Sequence, residues 1–407
     1  MNCRGCATPL SLSLIDLGTA PPSNAYLAAE QLNQAEQWVP LRVMVCQHCW
    51  LVQTEDFRAA DSLFDADYAY FSSYSSSWLA HAERYVAQMV ERFALGAQSV
   101  VVEIAANDGY LLQYVAQRGI PCFGVEPTAS TARAAREKGI EIQELFFGVQ
   151  TAETLVGQGR SADLMVANNV LAHVPDINDF LQGFACLLKP AGVATFEFPH
   201  LLRLMADNQF DTLYHEHYSY LSLTAVQTLC ARNGLAIFDV EELPTHGGSL
   251  RVYVQRVGGP QGANASVAAL LAREERAGMR TAAYYASLAP AAEQIKHQLL
   301  RFLLQAKADG KRVVGYGAAA KGNTLLNYAG VRADLLAWVA DANPHKQGKY
   351  LPGSRIAVVA PQRIADEKPD YVLVLPWNLL DEVTQQLAEV RSWGGQFVVA
   401  VPQLRKC

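Results

Sequence analysis

The 407-residue sequence lacks the long apolar runs that membrane spans require, and its start, MNCRGCATPL, lacks the charged-then-apolar layout of a signal peptide. Charged residues make up only 18% of the chain, and the formal net charge is -6. Because nucleic acids and anionic membranes are bound mainly through clustered Lys and Arg, this balance argues against both as partners. We therefore expect a cytoplasmic monomer that binds neither.

The length of the chain predicts more than one domain, because a single hydrophobic core rarely organises so many residues. Changes in texture divide the sequence into four parts: 1–75 with little sustained periodicity, 76–260 with alternating strands and helices, 261–309 with helices alone, and 310–407 with a second strand-turn-helix pattern. Because the first part is so weakly periodic, we expect a bound metal rather than a hydrophobic core to organise it.

The second part predicts a parallel sheet covered by helices on both faces. We expect strands at 99–104, 121–126, 163–168 and 193–198, with helices at 79–94, 110–119, 129–138 and 176–189. The last of these helices is expected to stop at Pro190 and Gly192. Two further strands, 235–243 and 249–256, follow as an antiparallel pair. A parallel sheet completed by such a pair is the layout of a class I, Rossmann-like methyltransferase domain.

The fourth part begins with 312-RVVGYGAAAKGN-323, a strand that leads through a Gly-containing turn into a helix. Further strands are expected at 335–341, 371–376 and 396–402. This pattern predicts a second Rossmann-like α/β domain, joined to the first by one or two connecting helices.

Eight cysteines occur in the chain, and four of them form two Cys-x-x-Cys pairs, Cys3 with Cys6 and Cys46 with Cys49. In a chain without an export signal, reduced thiols are a better interpretation than disulfides. Two such pairs supply four thiolates for one tetrahedral zinc ion, although unrelated buried thiols are the alternative. A site with four protein ligands has no open position, so we expect this zinc to stabilise and not to catalyse.

The strand 99–104 runs into Ala105, Ala106, Asn107, Asp108 and Gly109 before a helix, which is where an adenosyl or dinucleotide ligand sits in such folds. Glu126 ends the next strand, and its carboxylate can accept both ribose hydroxyls. With one glycine, the turn is not built to hold a pyrophosphate, which favours S-adenosylmethionine over NAD; an ordinary turn with a surface Glu is the alternative. The residues that we assign to the cofactor in this domain are Glu103, Ala105, Asn107, Gly109, Glu126 and Asn168.

The segment 211-DTLYHEHYSYLS-222 crowds phenolic and titratable side chains just after the strand 193–198. Such a segment lies over the crevice at the carboxyl ends of parallel strands. An imidazole can remove a proton near neutral pH, and a phenol can donate to a developing enolate oxygen. We interpret the segment as catalytic; the alternatives are a wet aromatic loop or a transition-metal site built from His215 and His217.

His173, in 168-NNVLAHVPD-176, follows another predicted parallel strand and should face the same crevice. A lone histidine in such a place is equally often an ordinary hydrogen-bonding residue. Its role therefore stays open on the residues alone.

Over nearly its whole length the chain resembles the sugar C-methyltransferase family, whose members methylate carbon 3 of nucleotide-linked 4-keto-deoxyhexoses. The motifs that carry the resemblance are the four-cysteine module, 103-EIAANDGYL-111, 168-NNVLAHVPD-176, 214-YHEHYSY-220, 246-HGGSLRVYV-254, 314-VGYGAAAKGNTLLN-327 and 341-DANPHKQGKYLPG-353. The resemblance implies a zinc-binding domain at 1–75, an S-adenosylmethionine-binding methyltransferase domain at 76–260, connecting helices at 261–309 and a nucleotide-sugar-binding domain at 310–407.

The resemblance also implies roles for individual residues. His217 is the expected base, Tyr214 a hydrogen-bond donor or proton relay, Glu216 a group that orients one of them, and His173 a further substrate contact. Tyr68 is expected to close over the cofactor. The residues expected to contact the nucleotide-linked keto-deoxysugar, for which the resemblance implies dTDP as the nucleotide, are His215, His246, Arg251 and Lys321.

One position departs from the family pattern, because many relatives carry Gly-Ser-Asn-Asp-Gly where this chain has Ala105 to Gly109. The extra methyl group at Ala105 is expected to shift the cofactor slightly without removing a polar contact. For Lys321, at the start of a predicted helix, a packing role is the alternative to binding the diphosphate.

Three other functions stay open on the sequence. An O- or N-methyltransferase would use the same base to deprotonate a heteroatom. A non-catalytic zinc-ribbon interaction protein would not need the polar loop at 211–222. A nucleotide-sugar dehydrogenase or epimerase, suggested by Gly315 and Gly317, would carry bound NAD.

Overall fold

The computed structural model describes residues 1–55 and 71–407, and these form three sheets joined by helices. Tyr68 lies outside the described residues. No helix in the described part is long and apolar enough to cross a membrane.

The first part of the chain contains an antiparallel sheet with the strand order β1-β2-β3-β9. Its strands are β1 Leu12–Ala20, β2 Val39–Val45, β3 Val52–Thr54 and, from the segment predicted to be catalytic, β9 Ser219–Tyr220. The expectation that metal binding replaces a core here was therefore incomplete. In β2, Val39, Leu41, Val43 and Val45 are buried at every second position, as a strand with one covered face requires.

The apolar face of this sheet packs into one core with the connecting helices and the C-terminal domain. The connecting helices are α8 Ala265–Ala277, α9 Ala282–Tyr285 and α10 Leu288–Ala308. Leu14 and Val43 of the sheet, Leu299 of α10 and Leu326 of the C-terminal domain represent the three parts that meet in this core, and each is at most 2% exposed. The N-terminal sheet is thus stabilised by burial against distant parts of the chain.

The central domain has a seven-stranded sheet with the order β10-β11-β8-β7-β4-β5-β6. Its strands are β4 Val101–Ile104, β5 Cys122–Val125, β6 Ile142–Gln143, β7 Ala162–Asn168, β8 Leu188–Pro199, β10 Leu235–Leu243 and β11 Ser249–Arg256. Its helices are α1 Ser76–Arg92, α2 Leu112–Ala116, α3 Ala129–Glu137, α4 Val149–Gly157, α5 Ile177–Leu187, α6 Leu201–Ala206 and α7 Leu223–Arg232. The strands β4 to β8 are parallel, and β11 pairs antiparallel with both β8 and β10.

This sheet confirms the predicted class I methyltransferase fold, with one local correction. The helix expected to run to Lys189 ends at Leu187, and β8 begins at once with Leu188, which pairs with Ala162 of β7. Pro190 and Gly192 lie inside the strand, where a register shift in the pairing accommodates them.

The C-terminal domain has a six-stranded sheet with the order β14-β13-β12-β15-β16-β17, parallel except for β17. Its strands are β12 Val313–Tyr316, β13 Val339–Ala340, β14 Val358–Val359, β15 Tyr371–Val374, β16 Gln396–Val399 and β17 Arg405–Lys406. Its helices are α11 Ala320–Ala329, α12 Gln362–Glu367 and α13 Leu380–Gln386. The strand expected at 335–341 is reduced to two residues of β13.

Candidate active site

Four cysteines come together at the turns of the N-terminal module. The Sγ atoms of Cys3, Cys6, Cys46 and Cys49 all lie within 4.8 Å of one another. Zinc–sulfur bonds of about 2.3 Å in a tetrahedron place the sulfur atoms about 3.8 Å apart, so this cluster fits one zinc ion. The backbone N–H groups of His48 and Cys49 donate to Cys46 Sγ, as they would to a thiolate. The predicted four-cysteine zinc-binding module is confirmed.

This module also holds the segment 211–222 in place. Gln53 of β3 donates from Nε2 to Cys3 Sγ over 3.2 Å, and its backbone pairs with Ser219 of β9. One residue further along β3, Thr54 donates from Oγ1 to the carbonyl oxygen of His217 over 3.0 Å. The four-cysteine cluster therefore contacts β3, and β3 in turn contacts the segment 211–222.

The turn after β4 has an unusual backbone. Ala105, Asn107 and Gly109 adopt positive φ angles of 55°, 50° and 74°, so every second residue is left-handed. Only a glycine takes this conformation without a steric cost, and Asn tolerates it better than Ala does. The geometry of a glycine-rich turn is thus formed with a single glycine, which explains why its sequence signal is weak.

Glu126, at the end of β5, lies against this turn. One carboxylate oxygen accepts the backbone N–H of Asn107 and the other accepts that of Thr128, each over 2.9 Å. Burial raises the pKa of Glu126 while these two donors lower it. The carboxylate keeps lone pairs for further donors, so the turn and Glu126 together fit the ribose of an adenosyl ligand.

Glu103 and Asn168 lie at the carboxyl ends of the neighbouring strands β4 and β7. The phenol of Tyr110 interacts with both side chains. Glu103 is 1% exposed, and its burial raises the pKa of its carboxyl group well above the ordinary value. Tyr110, the residue after the turn, therefore connects the ends of these two strands.

The segment that follows residue 70 crosses the turn. Ser72 donates its backbone N–H to Asn107 Oδ1 over 2.9 Å, and Ser73 donates to Asp108 Oδ2 over 3.3 Å. Tyr74 reaches the C-terminal domain, where its hydroxyl lies 3.1 Å from His345 Nε2. This segment thus links the predicted cofactor turn to the C-terminal domain.

The segment 211–222 forms a compact group of rings. The hydroxyl of Tyr214 lies 2.9 Å from Nε2 of His217, and the rings of His173 and His217 are 4.6 Å apart between centroids. The second ring nitrogen of His217 faces the carbonyl of Thr212. A carbonyl can only accept, so that nitrogen carries the proton and Nε2 accepts from Tyr214. His173 likewise donates from Nδ1 to the carbonyl oxygen of Glu216 over 2.7 Å.

Both histidines are neutral near neutral pH. Burial lowers the pKa of His217 well below its ordinary value, and the nearby His173, His246 and Lys321 lower it further when charged. Burial lowers the pKa of His173 to about 4. A neutral imidazole is the form that can accept a proton, although a lowered pKa also makes it a weaker base.

The carboxylate of Glu216 points to the N-terminal module. Glu216 is 2% exposed, and its Oε1 accepts both the backbone N–H and the Nδ2 of Asn24, over 3.0 and 3.2 Å. Glu216 was expected to orient Tyr214 or His217, but its side-chain hydrogen bonds in the described part of the chain involve neither residue. Its backbone carbonyl orients His173 instead. Asn24 had not been identified from the sequence, and no motif around 21-PPSNAY-26 pointed to it.

The residues expected to contact the substrate lie at different depths. His246 has its Nε2 3.0 Å from Asn169 Nδ2, in a turn where its φ is 55°. The Nε2 of His215 donates to the carbonyl of Pro40. Arg251 is 1% exposed, and its guanidinium donates to Glu197 and Glu241 over 2.7 and 3.0 Å. Arg251 therefore lies within the sheet as a structural ion pair and meets no open cleft.

Lys321 is the second residue of helix α11 of the C-terminal domain, and its charge interacts with Asp211 of the central domain. Its Nζ donates to Asn378 Oδ1 over 2.7 Å and lies 4.5 Å from the ring centroid of Trp377. Trp377 in turn donates from Nε1 to Asp211 Oδ2 over 2.8 Å. Burial lowers the pKa of Lys321, and it raises the pKa of Asp211 to about 6. The two domains meet through these groups at the start of the segment 211–222.

Three family models match consecutive parts of the chain. They are described as "Putative zinc binding domain" at residues 3–64, "Methyltransferase domain" at 78–240 and "C-methyltransferase C-terminal domain" at 244–402.

One relative matches nearly the whole chain, and others match only a part of it. The C-methyltransferase NovU of Streptomyces niveus is 34% identical over 99% of this chain and 96% of its own length. A ubiquinone biosynthesis O-methyltransferase of Chelativorans sp. is 31% identical over only 23% of this chain and 37% of its own. Among solved structures, magnesium protoporphyrin IX methyltransferase from Synechocystis PCC 6803 with bound SAM is 16% identical, with a TM-score of 0.34, over 44% of this chain and 79% of that one.

The full-length relative and the three consecutive family models cover the zinc module, the central domain and the C-terminal domain together. The expected methyltransferase activity is thereby confirmed at the level of the family. The chain belongs to the C-methyltransferase family.

Proposed function

We propose that this enzyme transfers a methyl group from S-adenosylmethionine to carbon 3 of a nucleotide-linked 4-keto-deoxyhexose, with dTDP as the nucleotide. One observation carries the proposal: a neutral His217 accepts a hydrogen bond from Tyr214 within a buried group of rings in the segment 211–222. Methylation of carbon requires a carbanion, and the position next to a ketone supplies one when a base removes its proton. An enzyme that methylates oxygen or nitrogen has no need to stabilise an enolate.

When bound, S-adenosylmethionine supplies an electrophilic methyl group. The turn from Ala105 to Gly109 holds the cofactor through its backbone, and Glu126 accepts the ribose hydroxyls. We assign Glu103 and Asn168 to the same cofactor site, together with Tyr68. The protein's chief contribution to the transfer is the alignment of two ligands.

Proton removal runs through the pair of Tyr214 and His217. Both nitrogens of His217 have partners, so the proton from carbon 3 passes to the Tyr214 oxygen as the tyrosine proton passes to Nε2. Because burial makes His217 a weak base, the enolate oxygen must also be stabilised. We assign this task to the hydroxyl of Tyr214, which carries a proton again after the relay. His173 is neutral with its proton on Nδ1, so its Nε2 can only accept a hydrogen bond, and we assign it to a hydroxyl group of the sugar. We assign to the carboxylate of Glu216 the stabilisation of the imidazolium that forms on His217.

The nucleotide-sugar lies between the central and C-terminal domains. His246 and Lys321 contribute to the same electrostatic environment as His217, so we assign both to substrate contacts. We assign supporting roles to His215, which donates to the carbonyl of Pro40, and to Arg251, whose partner Glu197 accepts from Thr245 in the turn of His246.

The test is the fate of the hydrogen at carbon 3. A 4-keto nucleotide-sugar deuterated at that carbon is incubated with the enzyme and S-adenosylmethionine, and the product is analysed by mass spectrometry. We expect the methylated product to lose its deuterium completely, and His217→Asn to abolish both methyl transfer and label loss while binding both ligands. Methylated product that keeps the label would contradict carbon methylation at this position. Label loss that persists in His217→Asn would move the base to His173.

A further inference from the structure

The segment 22–27 of the zinc-binding module lies between the segment 211–222 and the C-terminal domain. On one side, Asn24 donates two hydrogen bonds to Glu216. On the other side, the carbonyl of Ser23 accepts from Asn323 Nδ2 over 2.6 Å, and Tyr26 donates to the carbonyl of Ala318 over 2.5 Å. Leu27 forms a backbone bridge with Tyr350. The position of Asn24 is therefore defined by contacts on both of its sides.

Among residues 1–55 and 71–407, no cationic side chain pairs with the buried carboxylate of Glu216. Its recorded donors are the Asn24 backbone, the Asn24 side chain and nearby backbone N–H groups. The titratable groups around it are the phenol of Tyr220 on β9 and the imidazole of His173, which binds the Glu216 backbone. A buried carboxylate that lacks an ion-pair partner depends on hydrogen-bond donors to stay ionised.

We propose that Asn24 is a positioning residue for the reaction, whose paired N–H donors hold the Glu216 carboxylate ionised and in one orientation. The inference rests on the proposed function, in which the charge of Glu216 favours the protonated form of His217. It gives the N-terminal module a direct part in the catalytic site, in addition to the structural role of its zinc. Tyr26 lies on the same segment and touches Ala318 instead of Glu216, so it offers a matched control.

Three variants separate electrostatic positioning from simple packing. Asn24→Asp keeps the shape but replaces the side-chain donor with a second carboxylate. Asn24→Ala removes the side-chain donor and the packing, and Tyr26→Phe removes only the hydroxyl that holds the segment. Initial rates are measured across the acid-to-neutral range with S-adenosylmethionine and a panel of dTDP-linked 4-keto-deoxyhexoses.

We expect Asn24→Ala to lower kcat about tenfold and to leave the KM for S-adenosylmethionine unchanged. The acid limb of the pH profile, where kcat falls as pH decreases, should move up by about one pH unit, because the Glu216 carboxylate loses one hydrogen-bond donor. Asn24→Asp should move the limb further in the same direction. Tyr26→Phe should leave it in place. A packing role would instead make Asn24→Asp resemble the wild type, and that result would overturn the proposal, as would an equal shift in Tyr26→Phe.

A second measurement needs no substrate. Burial raises the pKa of Glu216 in the folded protein above its ordinary value of 4.5, so stability falls as pH rises through the interval between the two. Loss of the Asn24 donor raises the folded pKa further. The free-energy difference between the wild type and Asn24→Ala should therefore grow from about pH 4.5 toward neutrality. A difference independent of pH would refute the role of Asn24, whereas a sugar panel that yields no methylated product would refute the proposed function alone.

Discussion

At the scale of single residues, the site depends on how burial changes acid-base chemistry. Burial keeps His217 and His173 neutral at physiological pH, and the carbonyls of Thr212 and Glu216 define which ring nitrogen carries each proton. A neutral base is available without prior deprotonation, but its low pKa means that it cannot act alone on a carbon acid. The hydroxyl of Tyr214 lies 2.9 Å from Nε2 of His217, and we propose that it passes the proton from the substrate to this nitrogen.

This arrangement predicts the behaviour of Tyr214→Phe. If the phenol relays the proton, its loss should lower the single-turnover rate as severely as His217→Asn does, and the double variant should be no slower than either single variant. A phenol that only donated to the enolate would cost about 10² to 10³ in kcat, which is the usual worth of one oxyanion donor. Rapid-quench measurements on the three variants distinguish these outcomes, with ligand binding by calorimetry as the control for folding.

At the scale of elements, the turn between β4 and α2 is shaped by its neighbours as much as by its own residues. The three left-handed residues are held because Glu126 accepts the Asn107 N–H from below and Ser72 donates to the Asn107 side chain from above. Ala105 keeps a positive φ at a steric cost of about 1 to 2 kcal/mol that a glycine would not have. The element therefore needs both the adjacent strand and the crossing segment.

Glu126→Gln tests whether this turn binds the cofactor. The amide keeps the shape but loses the charge, so we expect the affinity for S-adenosylmethionine to fall about tenfold or more, since a hydrogen bond to a charged group contributes about 1.5 to 3 kcal/mol. Affinity for the nucleotide-sugar should not change. Glu144→Gln, at an exposed carboxylate that pairs with Arg136, is the matched control. Equal cofactor affinity in both variants, measured by titration calorimetry, would remove Glu126 from the site.

Errors in predicting the elements have specific physical causes. Apolar residues at every second position of 39-VPLRVMV-45 indicate a strand. The prediction for this part of the chain relied instead on the nearby cysteine pairs and therefore gave metal binding alone. Helix α5 ends two residues before the expected position because pairing with β7 recruits Leu188 into β8. Pairing between distant segments supplies hydrogen bonds that local propensity does not include.

At the scale of the whole molecule, residues of all three domains contact the segment 211–222. The N-terminal module contacts it through β3 and Asn24, and helix α11 contacts it where Thr324 donates from Oγ1 to the carbonyl of Leu213 over 2.8 Å. The central domain supplies the loop itself and His173. A substitution in the four-cysteine cluster should therefore also lower the methyltransferase activity.

Cys46→Ser tests this connection. Purified wild-type protein should contain about one zinc ion per chain, and the variant should lose zinc, thermal stability and activity together, because a closed metal site contributes directly to folding. Cys407→Ser removes an exposed thiol far from the cluster and should change none of the three. Metal analysis and thermal denaturation provide the measurements. A zinc-free variant with full stability and activity would contradict the proposed coupling.

The sequence alone determined the order of the domains along the chain, the central parallel sheet and the four-cysteine cluster, because these depend on periodicity and on short-range spacing. It also drew attention to Tyr214, His217 and His173 through residue chemistry. Only the tertiary structure decided which side chains face each other: that Glu216 turns to Asn24, that Arg251 is enclosed within the sheet, and that Ser219 and Tyr220 complete a sheet of the N-terminal module. These contacts join residues that are far apart in the chain, and the energy that favours them comes from burial and pairing between segments, which no local pattern records.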